Sequence, residues 1–279
     1  MSAVTDNTGG ATGHAGIGDD LVLVSRHDDV LTITINRPHR HNTMTAETLV
    51  ALTSAFDHAG DDAALRAVVL TGAGSKTFCA GGQLTPSKEG SPFELEPERF
   101  DNPVALLFRA MDRCALPIVG RINGSAFGGG VGLVCACDYT VAVDTAQFGT
   151  TEASVGVFPL MILPLLLRVL PRRRVIEMGF FAERFSSAKA LDIGLVNAVV
   201  APDQLDATIE ATIDRLRKNS PVALRIGRRA INAVADLGLS DALNLTQALL
   251  PLLAQSDDAK EGFAAFGERR PPRWKAGKR

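Results

Sequence analysis

Apolar positions in the first two thirds of the chain alternate between short strand-like runs and a helical stripe. Residues 21–25 and 30–36 are β-rich runs separated by a polar turn, a pattern typical of a hairpin. A helix is predicted next, because Thr45 is a suitable N-cap and apolar residues recur at helical spacing through about Ala59. The apolar run 66–71 then ends at glycines, which favours a buried strand.

The same order of elements recurs further along the chain. Residues 118–122 and 139–143 are predicted strands, and a glycine-rich turn between them leads into a predicted helix near residues 131–137. Strands that alternate with helices indicate an α/β architecture.

From Pro202 onward the pattern is helical only. Leu205, Ile209 and Ile213 form one stripe, and Ser220 followed by proline is a typical helix start. Two further serines, Ser240 and Ser256, also precede helical runs and are predicted N-caps.

The chain is therefore predicted to have three parts. Residues 1–18 are rich in Gly, Thr and Ala and lack the apolar run of a signal peptide, so we expect a disordered tail. Residues 19–201 are predicted to form the core, and residues 202–279 a helical region that mediates oligomerisation.

Composition and charge narrow the function. The net charge of -2 and the pI near 6.2 argue against nucleic acid as a partner. The longest apolar run, residues 153–167, contains two prolines and is too short to cross a membrane. The four cysteines are not at zinc-ligand spacing, so we expect reduced thiols in a cytoplasmic protein without a metal.

Two glycine-rich segments carry the chemistry. In residues 68–84 a strand runs into Gly81 and Gly82, and Ser75 stands where a phosphate-binding P-loop requires glycine. In residues 122–138 three glycines precede a helix, whose free amides bear the positive end of the helix dipole. Two such turns predict a site that stabilises an oxyanion.

The motifs INRPHRHNTM, TFCAGGQL, NGSAFGGGVGLVCACD and AQFGTTEASVGVFP occur in this order, and EGFAAFGERRPPRW follows near the end. Together they resemble the crotonase family, also called the enoyl-CoA hydratase/isomerase family. The resemblance implies a spiral of ββα repeats with a C-terminal helical trimerisation region, and trimers or hexamers. It also implies an acyl-CoA substrate whose thioester oxygen binds the amides of Gly82 and Gly129.

Further site residues follow from the resemblance alone. Ala80, Gly81 and Gln83 would border the CoA moiety, and Arg40 lies where the family often places a basic residue. Arg269 matches a position that reaches CoA phosphates across a subunit boundary. Since CoA is part of the substrate, no separate cofactor is implied.

Hydratases of this family usually carry two glutamates, and here the first position is Gly132 while the second is Glu152. Glu152 is the predicted general acid/base, and its apolar surroundings are expected to raise its pKa. The bulky residues 160–163 replace flexible glycines and are expected to reshape the acyl pocket. On this interpretation Gly132→Glu would raise any weak hydration relative to isomerisation, provided that the helix tolerates the side chain and that Leu160 and Met161 leave room for water.

Several functions remain open on these grounds. A hydratase is the family's commonest activity, whereas an isomerase needs only one glutamate. A non-catalytic acyl-CoA binding protein would keep the glycine turns without needing Glu152, and RNA binding is disfavoured by the acidic pI. Another carboxylate could come from the acidic loop that carries Glu94, Glu96 and Glu98.

Overall fold

The structure, a computed structural model, describes residues 21–83 and 101–275. The predicted tail, residues 1–18, and Glu94, Glu96 and Glu98 of the acidic loop lie outside the described residues. Within the described ranges the helices are too short or too polar to span a bilayer.

The strands of the described residues form two sheets. In chain order they are β1 (Val22–His27), β2 (Val30–Ile35), β3 (Ala67–Gly72), β4 (Thr77–Cys79), β5 (Ile118–Ile122), β6 (Ser125–Phe127), β7 (Tyr139–Val143), β8 (Gln147–Gly149), β9 (Phe185–Ser186) and β10 (Ala198–Val200). The larger sheet has the order β1-β2-β3-β5-β7-β10, and the smaller one has the order β4-β6-β8-β9. The predicted hairpin is the antiparallel pair β1–β2, and the larger sheet is otherwise parallel.

The helices of the described residues separate and cover these strands. They are α1 (Ala46–Asp61), α2 (Pro103–Arg113), α3 (Gly129–Ala136), α4 (Leu163–Val169), α5 (Arg172–Phe181), α6 (Ser187–Asp192), α7 (Leu205–Arg217), α8 (Pro221–Val234), α9 (Leu239–Ala254) and α10 (Asp257–Gly267). Short 3-10 helices lie at Pro38–Arg40, Glu152–Val155, Pro202–Gln204 and Arg273–Lys275. A long strand, a short strand and a helix recur three times, as β3-β4-α2, β5-β6-α3 and β7-β8-α4.

Three of the predicted helix caps are confirmed, and one is wrong. The hydroxyls of Thr45, Ser220 and Ser256 accept hydrogen bonds from amides in the first turns of α1, α8 and α10. Ser240 is not a cap, because α9 begins at Leu239 with Gly238 in extended conformation as its N-cap, two residues earlier than predicted. Ser240 therefore lies inside the helix.

The apolar core lies between the larger sheet and helices α1, α2 and α7. Every residue of β3 is buried, as expected of a central parallel strand with both faces covered. The predicted stripe on α7 is buried at Leu205, Ile209 and Ile213 and packs against β5 and β7. The four cysteines are free thiols.

An ion pair between a buried arginine and an exposed aspartate attaches α8 to this core. Arg228 is 8% exposed, and its Nε donates to Asp138 Oδ2 at 2.7 Å. Its Nη1 donates to the carbonyls of Asp112 and Cys114 at the end of α2. Asp138 also accepts the amide of Ile118, so one carboxylate connects α8 with the start of β5.

Contacts distant in sequence also join the hairpin to α7. Arg217 Nη2 donates to Asp29 Oδ1 at 2.7 Å, across 188 positions of the chain. Arg66 Nη2 donates to the carbonyls of Arg217 and Asn219, which cap the end of α7. The turn between β1 and β2, the start of β3 and the C-terminal end of α7 are thereby held together.

Candidate active site

The two glycine turns lie side by side because the strands that precede them are neighbours. β4 leads to Gly81 and Gly82, and β6, its parallel partner, leads to Gly128 and Gly129. A Cβ built on Gly129 would lie 3.4 Å from Gly81 Cα and 3.6 Å from the amide nitrogen of Gly82. The structure therefore brings the two predicted amide donors together.

Gly81 has no room for a side chain. Its φ is +88°, a conformation that glycine adopts without strain. A Cβ there would lie 2.9 Å from both the amide nitrogen of Gly129 and the carbonyl oxygen of Phe127. Any larger residue would push apart the two turns that hold the amides.

Both amides are available to a ligand. Gly129 is the first residue of α3, so its N–H has no acceptor within the helix. In residues 21–83 and 101–275, no hydrogen bond uses the amide of Gly82 or that of Gly129. Two adjacent free donors, one of them at a helix start, form a cradle for a negatively charged oxygen.

Glu152 extends to the same place from the neighbouring strand. β8 pairs with β6, and the amide of Gly128 donates to the carbonyl of Gly149 at 3.0 Å. Glu152 begins the 3-10 helix that follows β8. A Cβ built on Gly128 would lie 2.9 Å from Glu152 Oε1, so the carboxyl group borders the turn that carries Gly129.

The surroundings of Glu152 favour its neutral form. Its side chain is largely shielded from water, and this burial raises the pKa of the carboxyl group above the usual 4.5, although a backbone hydrogen bond acts in the opposite direction. Oε2 is buried and has no hydrogen-bond partner within the described part of the chain. Such a carboxyl group exchanges protons more readily near neutral pH than an exposed one.

At Gly132, where hydratases of the family usually carry their other glutamate, Ile162 and Phe108 occupy the space beside the helix. A Cβ built on Gly132 would lie 2.3 Å from Ile162 Cγ2 and 2.9 Å from Phe108 Cζ. The assumption behind Gly132→Glu, that the helix tolerates a side chain here, conflicts with this packing, because any side chain on Gly132 would require Ile162 and Phe108 to move. Of the predicted bulky replacements, Ile162 is buried, whereas Leu160 and Met161 are exposed.

A buried arginine that sequence reasoning did not select braces the Gly82 turn. Arg37 is 4% exposed; its Nη2 donates to Gln83 Oε1 at 3.1 Å and its Nη1 to the carbonyl of Thr43 at 2.6 Å. Met44, one residue further, pairs with Gly82 through hydrogen bonds to both flanking residues. The only sequence signal was the place of Arg37 in the Asn-Arg-Pro motif.

The other predicted CoA contacts differ in their proximity to this site. The amide of Ala80 donates to the carbonyl of His41, which places the segment after Arg40 beside the first glycine turn. Arg40 itself is exposed at the end of a 3-10 helix. Arg269 is exposed after α10, and its side chain makes no hydrogen bond or ion pair with another described residue.

Comparison with known proteins identifies the family of the chain. The sequence profile described as enoyl-CoA hydratase/isomerase matches residues 25–277. A protein of Clostridium acetobutylicum named short-chain-enoyl-CoA hydratase is 30% identical over 250 residues, which is 89% of this chain and 95% of that protein.

Solved structures give the same result. An enoyl-CoA hydratase of Mycobacterium smegmatis superposes with a TM-score of 0.83 at 32% identity, covering 91% of this chain and 98% of that one. An enoyl-CoA hydratase from Bacillus anthracis gives a TM-score of 0.79 at 28% identity, with 91% and 99% covered. The predicted crotonase-like α/β fold is confirmed, and the chain belongs to the enoyl-CoA hydratase/isomerase family.

Proposed function

We propose that this protein acts on an enoyl-CoA thioester, using the amides of Gly82 and Gly129 as an oxyanion hole and Glu152 as its single general acid/base. We further propose that its principal reaction is migration of a double bond from C3 to C2. The observation that carries this choice is the packing of Ile162 and Phe108 against Gly132, which leaves no space for a second carboxylate.

The proposed oxyanion hole acts on the thioester oxygen. Removal of a proton from C2 moves negative charge onto that oxygen, and two fixed amides stabilise it without reorganising. Loss of one such donor typically costs about 3 to 4 kcal/mol of barrier. The adjacency of the two amides and the start of α3 support this role.

Glu152 would carry the proton. Its carboxylate takes the proton from C2, the C2–H electron pair forms the C2–C3 double bond, and the former C3–C4 double bond accepts the same proton at C4. No atom is gained or lost, so one carboxylate suffices. Burial of Glu152 and its place beside Gly128 support the assignment.

Hydration of a 2-enoyl-CoA is the second candidate, favoured by the names of the relatives. It requires a water molecule to be held and deprotonated at C3 while a proton reaches C2. The family places a glutamate at position 132 for part of this work, and here that position is glycine. Among the described residues, no carboxylate takes that place on α3.

The CoA portion is proposed to lie along Ala80, Gly81 and Gln83, with Arg40 near its polar end. Arg269 would contact CoA phosphates from another subunit, in keeping with its exposed and unpaired side chain.

A homotrimer or hexamer is proposed, because large apolar side chains of the C-terminal helices are exposed in the single chain, namely Leu239, Leu243, Leu250, Leu252, Phe263 and Phe266.

One experiment tests the reaction. The purified protein is incubated with 2-enoyl-CoA and 3-enoyl-CoA panels, and products are identified by mass, because hydration adds a water and isomerisation does not. The wild type is expected to isomerise, and Glu152→Gln is expected to lose about 10² to 10⁴ in rate while CoA binding persists. Glu47→Gln, the same change on an exposed face of α1, is the control.

Two outcomes would overturn the proposal. Rapid hydration by both the wild type and Glu152→Gln would mean that another group carries the proton. Binding of both thioesters without any product would instead identify an acyl-CoA binding protein.

A further inference from the structure

The backbone of Met44 holds the first glycine turn of the candidate site. Its amide donates to the carbonyl of Gly81 at 2.8 Å, and its carbonyl accepts the amide of Gln83 at 2.9 Å. These two hydrogen bonds form an isolated parallel bridge between Met44 and Gly82. Because successive amides of an extended segment point to opposite sides, the amide of Gly82 points away from Met44. Met44 therefore fixes the direction of one proposed oxyanion donor.

The side chain of Met44 reaches the second glycine turn. A Cβ built on Gly129 would lie 2.9 Å from Met44 Cε, so the terminal methyl group of Met44 packs against this glycine. Gly129 is the first residue of α3, and its amide is the other proposed donor. Met44 is 1% exposed, so the contact is made in the interior of the protein. One residue thus contacts both turns, through its backbone on one side and its methyl group on the other.

The chain on either side of Met44 is held in place. Arg37 Nη1 donates to the carbonyl of Thr43 at 2.6 Å, and Arg37 Nη2 donates to Gln83 Oε1 at 3.1 Å. Thr45 is the N-cap of α1, and its hydroxyl accepts an amide of the first turn. Met44 lies between these two anchors, so its backbone cannot shift without breaking one of them. A residue that is locked in this way keeps the groups packed on it in position.

The length of the side chain matters for this contact. Methionine is unbranched, and Cε is the atom that meets Gly129. A leucine ends one atom short of Cε and would leave the start of α3 unsupported on that side. Two donors stabilise an oxyanion only when both are aimed at one point, and a misplacement of about 1 Å can cost about 10²-fold in rate.

We propose that Met44 is a positioning residue that sets the separation and the aim of the Gly82 and Gly129 amides. It acts through the two glycines rather than on the substrate. Its hydrogen bonds orient one donor, and its methyl group supports the other. The inference rests on the proposed oxyanion hole and adds to it the residue that keeps its two halves in register.

The experiment observes the thioester carbonyl directly. Butanoyl-CoA labelled with carbon-13 at C1 is saturated, so neither proposed reaction converts it, and its carbonyl stretch is recorded by isotope-edited infrared spectroscopy. Hydrogen bonds to the carbonyl oxygen weaken the C=O bond, so binding to the wild type is expected to lower this frequency. Met44→Leu keeps nearly the same volume and is expected to bind the probe normally. It should nevertheless lose at least about half of the frequency shift.

Turnover should show the same separation of binding from chemistry. With the enoyl-CoA that the wild type converts, Met44→Leu is expected to lower kcat about 10- to 100-fold and to change KM less than about threefold. Met111→Leu is the matched control, because Met111 is also 1% exposed but lies on α2. Its frequency shift and its kcat should equal those of the wild type.

Three outcomes would overturn the proposal. If Met44→Leu keeps both the wild-type frequency shift and the wild-type kcat, the methyl contact does not position the donors. If Met111→Leu loses as much as Met44→Leu, the effect is a general loosening of the core. If the probe binds to the wild type without any frequency shift, the oxyanion hole itself is wrong, and this result is distinguishable from a failure confined to Met44.

Discussion

Gly132→Ala tests whether Ile162 truly closes the second carboxylate position. The added methyl would lie 2.3 Å from Ile162 Cγ2, whereas carbon atoms in contact are normally about 3.5 to 4.0 Å apart, so the neighbour must move by more than about 1 Å. Overpacking of this kind costs about 1 to 3 kcal/mol, and better helix propensity recovers about 1 kcal/mol. A net loss of up to about 2 kcal/mol is expected.

The effect should depend on Ile162. Ile162 is 2% exposed, so Ile162→Ala alone is expected to cost about 2 to 5 kcal/mol. In the double variant each change relieves the other, and its loss should be smaller than the sum of the single losses by at least about 1 kcal/mol. Gly132→Glu alone is expected to reduce the yield of folded protein and to confer no hydration.

Urea unfolding followed by circular dichroism measures these differences. Gly227→Ala is the control, because Gly227 lies inside α8 and a Cβ there meets nothing within 4 Å, so about 0.5 to 1 kcal/mol of stabilisation is expected. If Gly132→Ala stabilises the protein as much as Gly227→Ala, the position is open. The structural reason for preferring isomerisation would then be lost.

Three further predictions concern other parts of the chain. The reaction rate should fall as pH decreases, because Glu152 must be ionised to accept a proton. Since burial raises the pKa of Glu152, the midpoint of this fall should lie above the usual glutamate pKa of 4.5. A pH-rate profile with its midpoint at or below 4.5 would contradict this prediction. Arg228→Met removes the charge-assisted hydrogen bonds of the buried guanidinium and should cost about 1.5 to 3 kcal/mol in urea unfolding, and a change below about 0.5 kcal/mol would disprove the role of the pair. Light scattering should give a multiple of 29.5 kDa at micromolar concentration, and a monomer alone would contradict the proposed trimer.

Local signals predicted the architecture well. Strands β5 and β7 have the predicted limits, and Thr45 and Ser220 cap helices as expected, because apolar periodicity and capping depend on neighbouring residues. The two glycine turns could be expected to meet, because each follows a strand. The prediction of Ser240 as an N-cap was wrong because a glycine with extended backbone can precede a helix without a side-chain cap.

Contacts between segments distant in the chain could not be predicted from the sequence. Gly132 gave no sign that Ile162 and Phe108 close the space above it, since both come from other helices or turns. In the sequence, Arg37 is only one residue of the Asn-Arg-Pro motif. Its hydrogen bond to Gln83 joins positions 46 residues apart and is visible only in the structure.

The ion pair between Asp29 and Arg217 constrains how the chain can be made. The two residues are 188 positions apart, and at roughly 5 to 20 residues per second a ribosome needs roughly 10 to 40 s to produce the second after the first. During that interval the hairpin lacks its partner, and the faces of β5 and β7 that α7 covers remain exposed to water. A chain stopped at residue 201 should therefore aggregate during synthesis, and a nascent chain of this protein is expected to need chaperones until α7 has emerged.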